Sequence, residues 1–145
     1  MIAAMTGCMR HIRSIKTQLP DMYGASKGIG FQMDIDGAVG ELALAKHLGV
    51  YWTGSSGEGP GPGDVGDYEV RTTTHAKGRL IVHKRDGDDL KFILARIDYP
   101  ASTVSLVGWR LGRNAKDEKY WSDPSNSGRH AYFVDELEDM ETLDA

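Results

Sequence analysis

The chain has 145 residues, a net charge of −4, ordinary fractions of apolar and charged residues, and one cysteine. This length supports a single domain with its own hydrophobic core. The lone Cys8 excludes an internal disulfide and fits a reducing cytoplasm, where we expect the protein to reside. No apolar run approaches the ~20 residues of a membrane-spanning helix, and the first residues do not resemble a signal peptide.

The charge is unevenly distributed along the chain. Residues 135 to 145 form an acidic tail with six acidic residues and no basic one. Residues 71 to 96, in contrast, contain seven basic residues against three acidic ones. A locally basic region is typical of proteins that bind nucleic acid, although a solvated hairpin of mixed charge has the same composition.

The N-terminal residues predict an amphipathic helix within residues 1 to 20. Met5, Met9 and Ile12 recur at nearly helical spacing between basic residues, and Leu19-Pro20 ends the pattern. We interpret this helix as a packing element, with contact to nucleic acid as the alternative.

A second helix is predicted after a glycine-containing loop at residues 20 to 35. Asp36 is a suitable N-cap, and Gly49 follows the last apolar residue as a C-terminal stop. Glu41 lies at the margin of its apolar face. That face consists of Val39, Leu42, Ala43, Ala45 and Leu48.

The rest of the chain predicts strands joined by short turns. Residues 54 to 63 are rich in glycine and proline and predict an open loop next to a site. Turn residues at Lys77-Gly78 and Asp86-Gly87-Asp88 indicate that the first three strands form successive hairpins. The predicted strands are 67 to 74, 79 to 85, 90 to 98, 103 to 110 and 131 to 134, with a short helix at 114 to 121.

Acidic and basic residues converge at the first of these strands. Side chains alternate along a strand, so Glu69 and Arg71 project to one face with Asp67 beside them. Asp64 lies just upstream, and Glu41 comes from the preceding helix. Carboxylate oxygens bind Mg²⁺, and a cation next to them faces a phosphate, so this pattern suits a phosphodiester substrate.

This arrangement resembles the PD-(D/E)XK nuclease superfamily, and is similar to its small phage-encoded members. Glu41 matches the acidic residue of the family's helix, Asp64 in Pro62-Gly63-Asp64-Val65 matches the strand aspartate, and Glu69-Val70-Arg71 matches Glu-x-Lys. The resemblance covers residues 36 to 110. It implies an α/β fold with a restriction-endonuclease-like core, in which helices flank a mixed or antiparallel sheet. It also implies Mg²⁺- or Mn²⁺-dependent hydrolysis of DNA, with RNA as the alternative substrate, in the host cytoplasm if the protein is phage-encoded.

The resemblance assigns a role to each matching residue. Glu41, Asp64 and Glu69 would hold the metal, with Asp67 as the alternative to Asp64. Arg71 departs from the family, which usually has lysine there. Because arginine stays charged, Arg71 could bind phosphate but could not deprotonate water. Lys84 on the next predicted strand would then supply an amine.

Two other functions are compatible with the sequence. The first is a nuclease fold that has lost catalysis and binds DNA or a protein partner, for which Arg71 in place of lysine leaves room. The second is a small phage regulator that mimics nucleic acid with its acidic tail. Many enzymes of the resembled family that cut both strands are dimers, so the resemblance is compatible with a homodimeric nuclease. Trp52, Trp109 and Trp121 could stack on unpaired bases, although core packing is their ordinary role.

Overall fold

The computed structural model describes residues 1 to 16, 30 to 54 and 63 to 143, without the side chains of residues 13 to 16 and 31. It confirms the α/β class. The helices are α1 Ile2–Lys16, α2 Gly30–Leu48 and α3 Gly112–Ala115, with short 3₁₀ helices at Glu118–Tyr120 and Met140–Thr142. The strands are β1 Tyr68–Thr73, β2 Leu80–Val82, β3 Lys91–Asp98, β4 Thr103–Leu111, β5 Trp121–Ser122 and β6 Ala131–Val134.

The strands form two three-stranded sheets. The first has the order β1-β3-β4, with β1 parallel to β3 and β4 antiparallel to it, and the second has the antiparallel order β2-β6-β5. Strand β3 is buried on both faces, which explains its unbroken apolar run. Ile93 and Ala95 pack with α2 residues in one core cluster, and Phe92 and Leu94 pack with the second sheet in another.

The predicted strand positions are confirmed, but the predicted hairpins are wrong. Within the described chain, β2 pairs with β6 and not with its sequence neighbours, while β1 pairs in parallel with β3. Turn residues show where the chain reverses but do not specify which strand the next one joins. As a consequence, β1 is an edge strand of the first sheet, with one side open to the segment that carries Asp64.

Helix α2 begins earlier than predicted. It starts at Gly30, so the predicted loop is wrong over residues 30 to 35, and residues 17 to 29 lie outside the described part. Asp36 is not an N-cap, because it lies within the helix, where its carboxylate accepts a hydrogen bond from the Tyr99 hydroxyl. The predicted end is confirmed by Gly49, whose φ of +68° closes the helix in the left-handed region.

The buried face of α2 also differs from the predicted one. Ala38, Glu41, Leu44 and Ala45 are buried, while Leu42 is exposed. Glu41 therefore lies within the packed face and not at its margin. Residues 38, 41 and 45 lie along one side of the helix, at the three- and four-residue spacing of residues that share a helix face.

Helix α1 packs on α2, as the prediction of a packing element requires, but through a different face. Ala3 and Gly7 are buried, whereas Met5 and Met9 are more than half exposed. A Cβ on Gly7 would lie 2.5 Å from the Cα of Ile35, so the two helices touch closely at this point. The predicted stop at Leu19-Pro20 falls outside the described residues, and no described helix is long and apolar enough to cross a membrane.

The acidic C-terminal segment is part of the fold over residues 135 to 143. Glu138 exchanges two backbone hydrogen bonds with Trp109 on β4, and Leu143 is buried in the first core cluster. The Lys91 ammonium donates a hydrogen bond to the Leu143 carbonyl. The predicted helix over 114 to 121 is replaced by α3 and the 3₁₀ turn that follows. The acidic residues from Asp135 to Glu141 therefore belong to a packed segment, and Asp144 lies outside the described residues.

Two glycines of α2 provide a matched test of its packing on the sheet. A Cβ on Gly40 would lie 2.4 Å from Thr72 Cγ2 and 3.0 Å from Val70 Cγ1, whereas one on Gly37 would meet no atom within 4 Å. We expect Gly40→Ala to destabilise the protein by about 1–3 kcal/mol through overpacking. Gly37→Ala should stabilise it by about 0.5–1 kcal/mol through helix propensity. Urea unfolding followed by circular dichroism measures both, and equal effects would contradict the close approach of α2 to β1.

Candidate functional site

Glu41 is a buried acid held by two other segments of the chain. Its side chain is 6% exposed. The Arg10 guanidinium donates to both carboxylate oxygens, at 2.6 and 2.8 Å, and the Trp52 indole N–H donates to Oε2 at 3.2 Å. Burial raises the pKa of Glu41, and the nearby charge of Asp64 raises it further, while the hydrogen bond from Arg10 opposes both.

Arg10 is not among the site residues predicted from the sequence. Arg10 lies on the face of α1 that also carries Ala3 and Gly7, at spacings of four and three residues. The two small residues allow α1 to approach α2 closely, so the guanidinium reaches Glu41. The small-residue spacing, and not the more obvious methionine spacing, is the sequence signal that indicates the packed face.

A tight turn brings Asp64 against the edge of β1. Val65 and Tyr68 exchange two backbone hydrogen bonds of 3.1 Å, and Gly66 between them has a φ of +61°. This turn returns the chain so that Asp64 Oδ2 accepts the Val70 N–H at 2.9 Å. Asp64 is thereby fixed to the strand that carries Glu69.

Glu69 and Arg71 project to one face of β1, as predicted, and interact with each other. Arg71 donates to Glu69 Oε2 at 3.0 Å, and its guanidinium lies 5.2 Å from the centre of the Phe92 ring. Burial raises the pKa of Glu69 to about 7, with a further contribution from the charge of Asp64. The charge and hydrogen bond of Arg71 lower the pKa of Glu69 but do not outweigh these effects.

Asp86, which the sequence indicated only as a turn residue, is a further member of the site. Its side chain is only 13% exposed. Oδ2 accepts hydrogen bonds from Arg71 at 3.1 Å and from the backbone N–H of His83 at 2.8 Å. Burial lowers the pKa of His83. Because Arg71 contacts both Glu69 and Asp86, its orientation is fixed at two points.

The structure brings together four of the residues that the sequence singled out. The negative charge of Asp64 acts on both Glu41 and Glu69, so Glu41 from α2 shares one patch with the two acids at β1, and Arg71 contacts Glu69. We call Glu41, Asp64 and Glu69 the carboxylate cluster. Asp67 is exposed and is not among the charges that act most strongly on Glu41 or Glu69.

Lys84 lies apart from the carboxylate cluster. It occupies the exposed turn after β2, and in the described chain no hydrogen bond or ion pair joins it to an acid of the cluster. The expected amine from a neighbouring strand is therefore not in contact with Glu69, because β2 belongs to the second sheet and not to the first.

Asp64 and Glu69 carry carboxylate oxygens, which are the type of donor atom that Mg²⁺ prefers. In the arrangement present, no group of three His, Cys, Asp or Glu side chains among the described residues could hold an ion together. Both oxygens of Glu41 accept hydrogen bonds from Arg10, which leaves Asp64 and Glu69 as oxygen donors. Mg²⁺ commonly uses one or two carboxylates and completes its shell with water and substrate phosphate. The raised pKa of Glu69 comes first from burial and then from the charge of Asp64, and a nearby cation would lower it.

The Arg10–Glu41 pair can be tested by a mutant pair. Arg10→Met leaves a buried carboxylate beside Asp64 without its guanidinium, so we expect a loss of about 3 kcal/mol in unfolding free energy. Combining it with Glu41→Gln removes the buried charge and should restore most of that loss. Chemical denaturation of the single and double variants measures both.

Arg113→Met is the matched control for this experiment. Arg113 pairs with Asp89, and their side chains are 59% and 83% exposed. Its replacement should therefore cost less than about 1 kcal/mol. If Arg10→Met cost no more than Arg113→Met, the buried pair would not be a stabilising constraint.

The raised pKa of Glu69 predicts a pH dependence of stability. With a folded-state pKa of about 7 against an ordinary 4.5, the folded protein retains a proton that the unfolded chain releases between these values. This contribution to stability is complete below the lower pKa and is lost as the pH rises through the upper one. In EDTA, Glu69→Gln should raise stability relative to wild type by on the order of 1 kcal/mol at about pH 8, and little at about pH 4. Thermal unfolding at both pH values checks this, and a pH-independent difference would contradict it.

Comparison with known proteins adds no family to this description. The chain matches no protein-family model, no curated protein and no solved structure. The order of Glu41, Asp64 and Glu69-Val70-Arg71 along the chain thus stands as a motif resemblance. The function of the protein has to be argued from the carboxylate cluster and the groups around it.

Proposed function

We propose that this protein is a Mg²⁺-dependent phosphodiesterase that cleaves DNA, built on a restriction-endonuclease-like core. The observation that carries the proposal is that Asp64, fixed to β1 through the Val70 N–H, lies near enough to the half-buried Glu69 and the buried Glu41 for its charge to add to the effect of burial and raise the pKa of both. A purely structural cluster would be expected to pair each acid with a cation. Here the acids outnumber the guanidinium groups that contact them, and Glu69 keeps a pKa of about 7 despite Arg71.

In this proposal each residue has a distinct task. Asp64 and Glu69 hold the cation, and Glu41 keeps the negative potential of the patch high from its buried position. Bound there, Mg²⁺ supplies a water of lowered pKa and neutralises charge on the phosphate. Arg71 binds a phosphoryl oxygen, since arginine stays charged and cannot serve as a base. Its contacts to Glu69 and Asp86 hold the guanidinium in place before the substrate arrives.

The basic residues near the cluster support a DNA substrate. Lys77, Arg79, Lys84 and Arg85 are exposed and come from the connection between β1 and β3. This connection also carries Asp86, which contacts Arg71, so it adjoins the cluster. Exposed lysines and arginines beside a cluster of acids can hold the DNA backbone while the cation offsets the acids. Lys84 is assigned here to the DNA backbone and not to catalysis.

A second function, binding without catalysis, is favoured by one observation. Both oxygens of Glu41 are engaged by Arg10, and Arg71 already neutralises part of the charge of Glu69. In a nuclease fold that has lost its chemistry, such internal cations would replace the metal permanently. A DNA-binding module of this kind would keep its affinity for DNA when Glu69 is neutralised, or gain affinity as repulsion from the phosphates falls.

Three isosteric substitutions test the proposed reaction, because each removes one negative charge from the same segment. Asp64→Asn and Glu69→Gln should reduce Mg²⁺-dependent nicking of supercoiled plasmid by roughly 100-fold or more. Asp67→Asn should leave nicking within about twofold of wild type, since Asp67, unlike the equally exposed Asp64, is not among the charges that act most strongly on Glu41 or Glu69. Agarose gels with Mg²⁺ or EDTA give the rates, and Mn²⁺ titration calorimetry gives the metal affinity.

The pattern across the three variants decides between the functions. Nicking by wild type that is lost in the first two variants and kept in Asp67→Asn supports the phosphodiesterase. Equal loss in all three would identify a general charge effect and remove Asp64 as the ligand. Wild type that binds DNA in a mobility-shift assay but neither binds Mn²⁺ nor nicks plasmid would instead support the binding module.

A further inference from the structure

A small cavity opens directly beside the carboxylate cluster. It has a volume of about 240 Å³ and is formed by the end of α2, the segment after it and the turn before β1. Three aromatic residues contribute to its lining, and Asp64, which belongs to the carboxylate cluster, is also a lining residue. The main lining side chains are Leu48, Tyr51, Trp52, Asp64, Val65 and Tyr68.

Trp52 connects the cavity to the acids. Its only polar group, the indole N–H, donates to Glu41 Oε2 at 3.2 Å. The indole thus has a fixed orientation, with its polar atom used toward the cluster and its ring contributing to the cavity lining. A ligand in the cavity would therefore lie next to an aromatic ring and within reach of the patch where a phosphate is proposed to bind.

Tyr51 is unusual because it is an aromatic residue with 90% of its surface exposed. It lies at the cavity beside Val50, which is itself about half exposed. Exposed aromatic rings next to a phosphate site are the feature by which proteins stack unpaired bases, since every base has a flat apolar face. The cavity has few polar groups, which suits stacking without reading of the base identity.

We propose that this cavity receives one unpaired nucleobase of the substrate strand, next to the phosphate that the carboxylate cluster acts on. The inference deepens the proposed function and rests on it for the position of the phosphate. It implies that the preferred substrate is single-stranded or locally unpaired DNA. In a continuous duplex the base would first have to leave the stack, which costs a few kcal/mol.

Tyr51 allows a binding test that is independent of cleavage. In EDTA, Tyr51→Ala should weaken the binding of a labelled oligothymidylate of about 12 nucleotides by about fivefold to 150-fold, the effect of losing one stacked base. Tyr51→Phe keeps the ring and should bind within about twofold of wild type. Fluorescence anisotropy gives the affinities, and a blunt duplex of the same length should be nearly unaffected by either substitution.

Tyr99→Ala is the matched control. Tyr99 is also an exposed tyrosine, 49% by surface, but it lies in the turn after β3 and contacts Gln32 and Asp36 on α2. In register, β3 begins beside Tyr68 at Lys91, so Tyr99 is eight residues, or about 26 Å, further along. Its loss should leave binding of the oligothymidylate unchanged.

The outcomes separate the two proposals. If Tyr51→Ala binds the oligothymidylate as wild type does, or weakens single strand and duplex equally, the base cavity is refuted even if plasmid nicking is intact. If Tyr51→Ala selectively loses the single strand while wild type never nicks DNA with Mg²⁺, the cavity is supported and the phosphodiesterase is refuted. Selective loss together with Mg²⁺-dependent cleavage supports both.

Discussion

The buried carboxylate of Glu41 is the constraint on which the N-terminal half of the structure depends. An acid with a side chain 6% exposed requires partners, because a buried charge without them costs several kcal/mol. Arg10 from α1 and Trp52 from the segment after α2 supply them. Satisfying this one group therefore fixes α1 against α2 and sets the orientation of an aromatic ring at the surface.

The acids at β1 also have partners that partly compensate their negative charge. Arg71 contacts Glu69 and Asp86, while Asp64 uses one oxygen to accept an N–H from the edge strand. These contacts do not outweigh the burial of Glu69 and the charge of Asp64, which together raise its pKa to about 7. A protein that needed only stability would gain by replacing one of these acids with a neutral residue. Retaining all of them is understandable if an external cation and a phosphate complete the balance of charge.

Sequence patterns predicted the elements of this fold better than their partners. Strand positions followed from β-propensity and turn residues. The alternation of side chains between the two faces of β1 correctly placed Glu69 with Arg71. The parallel pairing of β1 with β3 could not be predicted in this way, because it joins strands separated by a third one that enters another sheet. Pairing between distant strands depends on packing in three dimensions and leaves no local signal.

In the candidate site, too, local features were predicted from the sequence and contacts between distant segments were not. Glu41, Asp64 and Glu69 were predicted from their resemblance to a known motif, which depends only on residue types and their order along the chain. In the structure the charge of Asp64 acts on both Glu41 and Glu69. Arg10 and Asp86 were missed because their roles arise only when α1 meets α2 and when the turn after β2 meets β1. Counter-ions of this kind are chosen by proximity in the folded chain and are therefore the part of a site that sequence reading finds last.

The carboxylate cluster and the cavity are built from the same few residues, which gives them a fixed relation. Trp52 belongs to both through its N–H and its ring, and Asp64 belongs to both through its carboxylate. A substitution that moves the segment after α2 would disturb the partner of Glu41 and the wall of the cavity at once. The rigid end of α2 and the tight turn before β1 thus hold an apolar surface and a charged one at a constant separation. Under the proposed function, in which a cation is bound at the carboxylates, such a pair of surfaces would suit a ligand with a flat apolar part joined to an anionic part, as in a nucleotide.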